Sequence, residues 1–395
     1  MEHIITGNRT AKWYEYAILL FLILWSGGGF TYGLFPEWML YMLPFVGFIF
    51  LQKKLKLSKV TFLFIAIVLS VHYVQMIFYG GDVINVIKPA CILFISAMFA
   101  KIISSMFVNI YRNLIYYISL ICLIFWFICL FQPGLLALKS IASLFPLLGW
   151  DNIENNTNVV TTLYIYSIPL DNDGLIRNTG PFWEPGRFTI YITLALAINL
   201  FYFKEKITSK KNIVFILTNV TTFSTTGYVA TAVLFIGYIF FSNLKNSYKI
   251  LFSVLLLAVV YYVGQFDFMT EKIAEQSADD SSWSRFGAIA YHWTQITQSP
   301  IIGFGPFISK VFANQLLSSP NGLTDLMRYY GIPLSLLFYY LLYKGTKQYI
   351  NNIHWGANVF VFISIILFCF SQTITYSPFF MLLYFFAFNT FTYDK

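Results

Sequence analysis

The sequence predicts an all-α polytopic membrane protein of about twelve transmembrane helices, with two long outward-facing loops that contain short helices. Three observations predict it. Charged residues make up only 11% of the 395 residues, against roughly 25% in soluble globular chains, too few to cover a water-facing surface. Hydrophobic residues reach 58% and the mean hydropathy is +0.68. Apolar runs recur along the chain, and Lys and Arg collect in alternate gaps between them. This composition excludes a soluble enzyme, a disordered chain and a nucleic-acid-binding domain, because lipid must replace water around most of the surface. The net charge of +8 sits in loops, so membrane lipid rather than nucleic acid is the expected partner.

Taken in order, the candidate spans are Tyr14 to Phe35, Trp38 to Leu51, Val60 to Tyr79, Val83 to Ala100, Asn113 to Phe131 and Glu184 to Phe203. They continue with Asn212 to Phe223, Gly227 to Phe241, Ile250 to Val263, Leu323 to Tyr343, Asn358 to Gln372 and Phe379 to Phe391. A spanning helix needs roughly 20 apolar residues, and several of these are shorter. The adjacent pair Asn212 to Phe223 and Gly227 to Phe241 reads most readily as broken or re-entrant, a form tolerated only inside protein or beside a wet cavity. The first apolar run is long and no small-residue cleavage site follows it closely, so it reads as a retained helix. One integral membrane domain over 1–395 is expected.

Charge sets the orientation. The set Arg9, Lys12, Lys53, Lys54, Lys56, Lys59, Lys101, Arg112, Lys204, Lys206, Lys210, Lys211, Lys245, Lys249, Lys344, Lys347 and Lys395 holds 17 of the 25 basic residues, and the opposite side holds 13 of the 17 acidic ones. The positive-inside rule places this set, and both termini, in the cytoplasm. Two long segments then face outward, 132–183 and 264–322. The first opens with an amphipathic stretch, Leu135 to Trp150, expected to lie along the membrane surface. Long ordered loops in compact proteins usually carry function.

Metal and redox chemistry find little support. Cys91, Cys122, Cys129 and Cys369 all lie in apolar runs with no ligand spacing, and read as packing residues. Asp171-Asn172-Asp173 has the spacing of a divalent-ion site, but Gly174 follows it as in a turn. No metal and no cofactor are expected.

The outward arginines are the chemical signal, because a cation near membrane depth is costly. Arg177 and Arg187 bracket Gly180, Pro181, Glu184 and Pro185; Arg285 closes the acidic part of the second loop; Arg328 follows Asp325 by three residues. Guanidinium is planar, always charged and suited to bidentate phosphate contacts. Such a cluster at the membrane rim fits a lipid-linked phosphate or pyrophosphate. The plainer alternative is local pairing, Arg187 with Glu184 and Arg328 with Asp325. Glu184 precedes Pro185, a residue suited to the first helical position. It is placed either as a general base or acceptor-orienting carboxylate, or as a cap. His292 among aromatics reads as a substrate contact or as packing. Trp183, Tyr291 and Trp293 suit stacking on sugar rings or packing against lipid. Ser224-Thr225-Thr226-Gly227 either lines a cavity or turns the chain.

Four stretches together resemble the bacterial O-antigen polymerase and O-antigen ligase family of membrane glycosyltransferases. RNTGPFWEPGRF (177–188) resembles its Arg–Gly–Phe–Glu–Pro element. FSTTG (223–227) resembles its Ser-Arg-Thr-Gly turn, with Thr225 where Arg is common. SRFGAIAYHWTQITQSPIIGFGP (284–306) resembles its Arg-then-Pro-Gly-Gly element, and NGLTDLMRYYGIP (321–333) its Asn-led tenth helix. The match covers roughly the C-terminal half; the N-terminal half agrees in span count alone.

The resemblance implies an inner-membrane enzyme that acts, without metal or nucleotide, on undecaprenyl-pyrophosphate-linked glycans at the periplasmic face. The two long loops are then periplasmic. Pro320 stands where the ligases carry His before Asn321, which favours a Wzy-type polymerase over a ligase. Glu184, Arg177 and Arg285 become the expected catalytic residues, Glu184 as base and the arginines on pyrophosphate. Arg187, Arg328, Asp325, Asn321, Trp183 and His292 become the expected substrate contacts. One displacement with one base implies inversion at the anomeric carbon. A polysaccharide chain-length regulator is an expected partner by resemblance. The alternatives are a ligase acting on lipid A core and a flippase of the same lipid-linked unit. A flippase would be expected to show two related halves, and no repeat is evident.

Overall fold

The computed structural model describes residues 10–28, 38–104, 106–142, 144, 161–168, 175–242, 245–265, 284–312, 321–350 and 355–389. The described chain is all-α but for one pair of two-residue strands. Its helices are α1 (Trp13–Trp25), α2 (Trp38–Gln52), α3 (Lys59–Tyr79), α4 (Ile84–Ile103), α5 (Phe107–Cys129) and α6 (Gln132–Ala142). After β1 (Thr161–Thr162) and β2 (Ser167–Ile168) come α7 (Pro185–Ala197), continued by a π-helical turn Ile198–Tyr202, then α8 (Lys210–Thr221), α9 (Thr225–Phe241) and α10 (Asn246–Gly264). The last are α11 (Arg285–Ile296), α12 (Ile308–Val311), α13 (Gly322–Ile350), α14 (Trp355–Ser371) and α15 (Pro378–Phe385).

Among the described residues three helices are long and apolar enough to cross a membrane: α3, α4 and α5, with 21, 20 and 23 residues and mean hydropathy 2.1, 2.0 and 1.8 in their best windows. At about 1.5 Å per residue each reaches about 30 Å, the thickness of a hydrocarbon core. The expectation of about twelve spans is corrected on this point. The apolar helices Trp13–Trp25, Tyr41–Gln52, Thr225–Phe241, Gly356–Ser371 and Pro378–Phe388 have only 10–17 residues.

Burial explains the shortness of two others. Every residue of α15 is buried, and every residue of α7 except Arg187. A helix enclosed by protein has its ends satisfied by neighbours and need not reach both surfaces alone. Thus Ser26 Oγ accepts from Phe379 N at 2.8 Å, and Ser96 Oγ donates to Pro378 O at 3.1 Å. α15 packs against α1, α4 and α13; α7 lies among α5, α8, α9 and α14. Stacked rings fill the space between, with Phe182 and Tyr191 4.7 Å apart at 6°.

The suspect pair of spans is two helices, α8 and α9, joined at Thr222–Ser224. Phe223 turns the chain at φ 46° and Ser224 Oγ caps α9 by accepting from Gly227 N at 3.2 Å. In the first long loop α6 buries Leu135 and Leu138 and exposes Leu136 and Ile141, an amphipathic helix as expected. The β hairpin is pinned to α5 by Tyr166, stacked on Phe125 at 5.5 Å.

α13 is kinked where Gly331 takes φ 76°. Pro333 has no N–H for the Tyr329 carbonyl, and Gln75 Nε2 of α3 donates to that carbonyl at 2.9 Å. The loop Pro300–Phe304 crosses the kink: Ile332 N donates to Pro300 O at 2.8 Å, and Phe304 N to Arg328 O at 2.9 Å. A Cβ on Gly303 would stand 2.5 Å from Gly331 N. The glycines of this stretch serve backbone approach, not a phosphate loop.

Candidate functional site

Helix starts converge at one place. Glu184 is the N-cap of α7, with Pro185 behind it at the first turn. Ser284 caps α11 through Gly287 N at 2.8 Å, which makes Arg285 its first residue. Asn321 precedes α13 and accepts from Leu323 N and Thr324 N at 3.1 and 3.2 Å. Cross-contacts join them. Arg285 NH1 donates to Thr226 Oγ1 in the first turn of α9 at 3.2 Å, and Asn321 Nδ2 donates to Arg285 O at 3.3 Å. A Cβ on Gly227 would lie 2.6 Å from Thr189 Cγ2 of α7, so α9 begins against α7. Four helix N-termini thus gather, and each contributes partial positive charge.

Glu184 and Arg187 do not pair with each other. Gln372, just after α14, stands between them: its Nε2 donates to Glu184 Oε1, and its Oε1 accepts from Arg187 Nε at 3.3 Å. Arg187 NH1 also donates to Ser26 O at 3.3 Å, and its guanidinium lies 5.0 Å from the Trp183 ring centre. Glu184 is close enough to Arg285 to act on it electrostatically. Burial lowers the Arg285 pKa and the Glu184 charge opposes that shift.

Arg177 reaches the same turn from the other side. Its Nε and NH2 donate to the carbonyls of Thr222 and Phe223 at 3.3 and 3.0 Å. These are orphan carbonyls at the end of α8. A cation there is favourable, and it fixes the turn on which Thr226 sits. Arg177 and Arg285 are therefore both tied to residues 222–226.

Asp325 and Arg328 follow Asn321 along α13, and His292 follows Arg285 along α11. Arg328 pairs with Asp325, both almost wholly buried, and its NH1 donates to Gln295 Oε1 at 3.1 Å. His292 is fully buried, with Nδ1 on Thr324 Oγ1 at 2.7 Å. Burial drives the His292 imidazolium down to about 3, and the Arg328 charge adds to the shift. Of the expected site residues, then, Glu184, Arg187, Arg285, Asn321 and Trp183 meet at the helix starts. Arg177 supports their turn, and Asp325, Arg328 and His292 lie further along α13 and α11. Trp283, Asp171-Asn172-Asp173, the acidic segment 269–280 and Pro320 lie outside the described residues.

Two participants escaped the sequence reading, Gln372 and Ser26, whereas Thr226 lies in the polar break that the sequence marks. Gln372 and Ser26 end apolar runs, where a polar side chain is costly without a partner, and that is the signal that finds them. A pocket lined by Ile190, Thr193, Leu234, Ser364 and Phe380 is small and apolar and contains none of these charged residues. No protein-family model, no curated protein and no solved structure matches the chain.

Proposed function

We propose that the chain is a membrane glycosyltransferase that polymerises lipid-linked oligosaccharide repeat units, transferring a growing glycan from undecaprenyl pyrophosphate to a new undecaprenyl-pyrophosphate-linked unit. The observation that carries it is the gathering of Glu184, Arg187 and Arg285 where α7, α9, α11 and α13 begin. In this reading the chain is an integral protein of the bacterial inner membrane. Both termini are cytoplasmic and the site opens at the periplasmic face. The product is O-antigen or capsular glycan, and a chain-length regulator is the proposed protein partner.

The chemistry needs two groups. The acceptor hydroxyl attacks the anomeric carbon of the donor and gives its proton to Glu184. The bond from that carbon to the phosphate oxygen breaks, and the pyrophosphate leaves with the electron pair. Negative charge grows on the leaving group, so Arg285, Arg187 and the helix starts stabilise the transition state more than the ground state. Arg177 holds the 222–226 turn. One displacement inverts the anomeric centre.

The test is a strain lacking the protein, complemented with the wild type, Glu184→Ala or Arg285→Ala. The expected result is long-chain glycan from the wild type and single-repeat glycan from both variants. Long ladders from both variants sink the site. An undecorated core with lipid-linked polymer marks a ligase instead, and repeat units trapped on the cytoplasmic side mark a flippase.

A further inference from the structure

Glu184 and Arg187 sit three residues apart at one helix start, a spacing at which opposite charges normally pair. Here a neutral amide separates them. Gln372 is nearly buried, its Nε2 on Glu184 Oε1 and its Oε1 on Arg187 Nε. Its orientation is unambiguous. Arg Nε–H only donates and an ionised carboxylate only accepts, so a flipped amide would face two repulsions. The backbone on both sides is shaped to this contact. A Cβ on Gly186 would stand 3.0 Å from both Gln372 Nε2 and Glu184 Oε1. A Cβ on Gly322 would stand 2.1 Å from Gln372 O.

We infer that Gln372 is a positioning residue that keeps Glu184 from pairing directly with Arg187, holding the carboxylate apart as the proton acceptor and the guanidinium apart as the anion contact. This rests on the glycosyltransferase reading for its catalytic meaning, but the spacer itself is testable without catalysis. Among the described residues, the charged groups facing Glu184 are Arg187 on its own helix and Arg285 from α11. α9 and α13 present the neutral Thr226 and Asn321 there, and α14 ends in neutral Gln372.

The sign in each variant follows. Gln372→Glu sets a second carboxylate beside Glu184, and like charges make ionisation harder. Gln372→Leu removes one amide hydrogen bond but lets Glu184 pair directly with Arg187. The guanidinium brings a full positive charge that the amide lacks, and an opposite charge beside a carboxylate favours its ionised form, so ionisation becomes easier. Gln372→Met, closer to glutamine in length and without its amide, acts in the same direction as Gln372→Leu.

The experiment labels the purified full-length protein with a water-soluble carbodiimide and an amine across a pH series. Mass spectrometry then quantifies modification of Glu184, since the protonated carboxyl reacts. The half-labelling pH is expected to rise in Gln372→Glu and to fall in Gln372→Leu and Gln372→Met. With lipid-linked repeat units as substrate, the acid limb of the pH–rate profile moves with it, and the maximal rate falls about 10-fold in each. Shifts of one sign in all variants, or no shift, overturn the inference. If Gln372→Leu does not fold, Gln372→Met carries the same comparison. If no variant and no wild type extends glycan, the glycosyltransferase reading fails, while the labelling still decides the role of Gln372.

Discussion

Asn321 holds Arg285 by its backbone: Asn321 Nδ2 donates to the Arg285 carbonyl at 3.3 Å while Asn321 Oδ1 caps α13. One side chain thus ends one helix and anchors another, and sets where the first guanidinium of α11 stands. Asn321→Asp keeps the cap and loses the donor; Asn321→Ala loses both. The expected outcome is that Asn321→Ala is destabilised by about 1 kcal/mol, the usual cost of a lost cap. Asn321→Asp unfolds near the wild-type temperature yet extends glycan more slowly. Thermal unfolding in detergent, set beside a glycan-length gel, checks both.

Arg177 makes two donations to the end of α8, at Thr222 and Phe223. Lysine carries the charge but lacks the fork. Arg177→Ala is expected to lower chain extension about 100-fold, the loss typical of one misplaced transition-state donor, because the turn carrying Thr226 shifts away from Arg285. Arg177→Lys recovers part of it. Initial rates on purified lipid-linked units test the order wild type, Lys, Ala.

Asp325 and Arg328 form a pair in which both side chains are almost fully buried. Removing one partner strands a charge, at a cost of about 3–5 kcal/mol. Asp325→Ala and Arg328→Ala are each expected to unfold early. Asp325→Leu with Arg328→Met together costs less than the two single losses added. A double-mutant cycle by thermal unfolding settles the coupling.

His292 makes stability depend on pH. Its folded-state value of about 3 lies below the ordinary 6.5, so the unfolded chain takes up the proton first. Its contribution is intact above pH 6.5 and is lost progressively as pH falls toward 3. The wild type is therefore expected to lose thermal stability between pH 6.5 and 4 more steeply than His292→Gln. Equal slopes for the two proteins would show that another group controls the acid limit.

Gly331 sits at φ 76°, with Ile301 O only 2.2 Å from where a Cβ would lie. Gly331→Ala is expected to cost more than about 1 kcal/mol, since the conformation and the space both oppose it. Gln75→Leu leaves the Tyr329 and Ile302 carbonyls without their amide donor, at about 1–3 kcal/mol for each buried group. Pulse proteolysis of the two variants in detergent measures both losses.

Some of this was legible beforehand. Pro185 announces α7, and the 20-residue apolar stretches announce α3, α4 and α5. The cost of a cation near membrane depth singles out Arg285, and Pro185 singles out Glu184 at a helix start. Arg328 is singled out for the same reason as Arg285, yet the structure closes it on Asp325. The two cases look alike in sequence, because i, i+3 spacing permits a pair without requiring one. Gln372 decides the difference at Glu184, and it comes from a helix 188 residues away. Span length was misread for a related reason: hydropathy reports that a helix avoids water, and not whether lipid or protein surrounds it.

The solvent and the class are written in the chain itself: with so few charges it folds into apolar surroundings, and its long unbroken apolar runs suit helices, which meet their backbone hydrogen-bonding needs within each segment. What only the tertiary structure decided is which helix ends meet, and hence that Glu184, Arg187, Arg285 and Asn321 share one place while Arg328 does not. The physical reason is that helix propensity and hydropathy act over neighbouring residues, whereas a site assembled from four separate helix starts depends on long-range packing that no local pattern encodes.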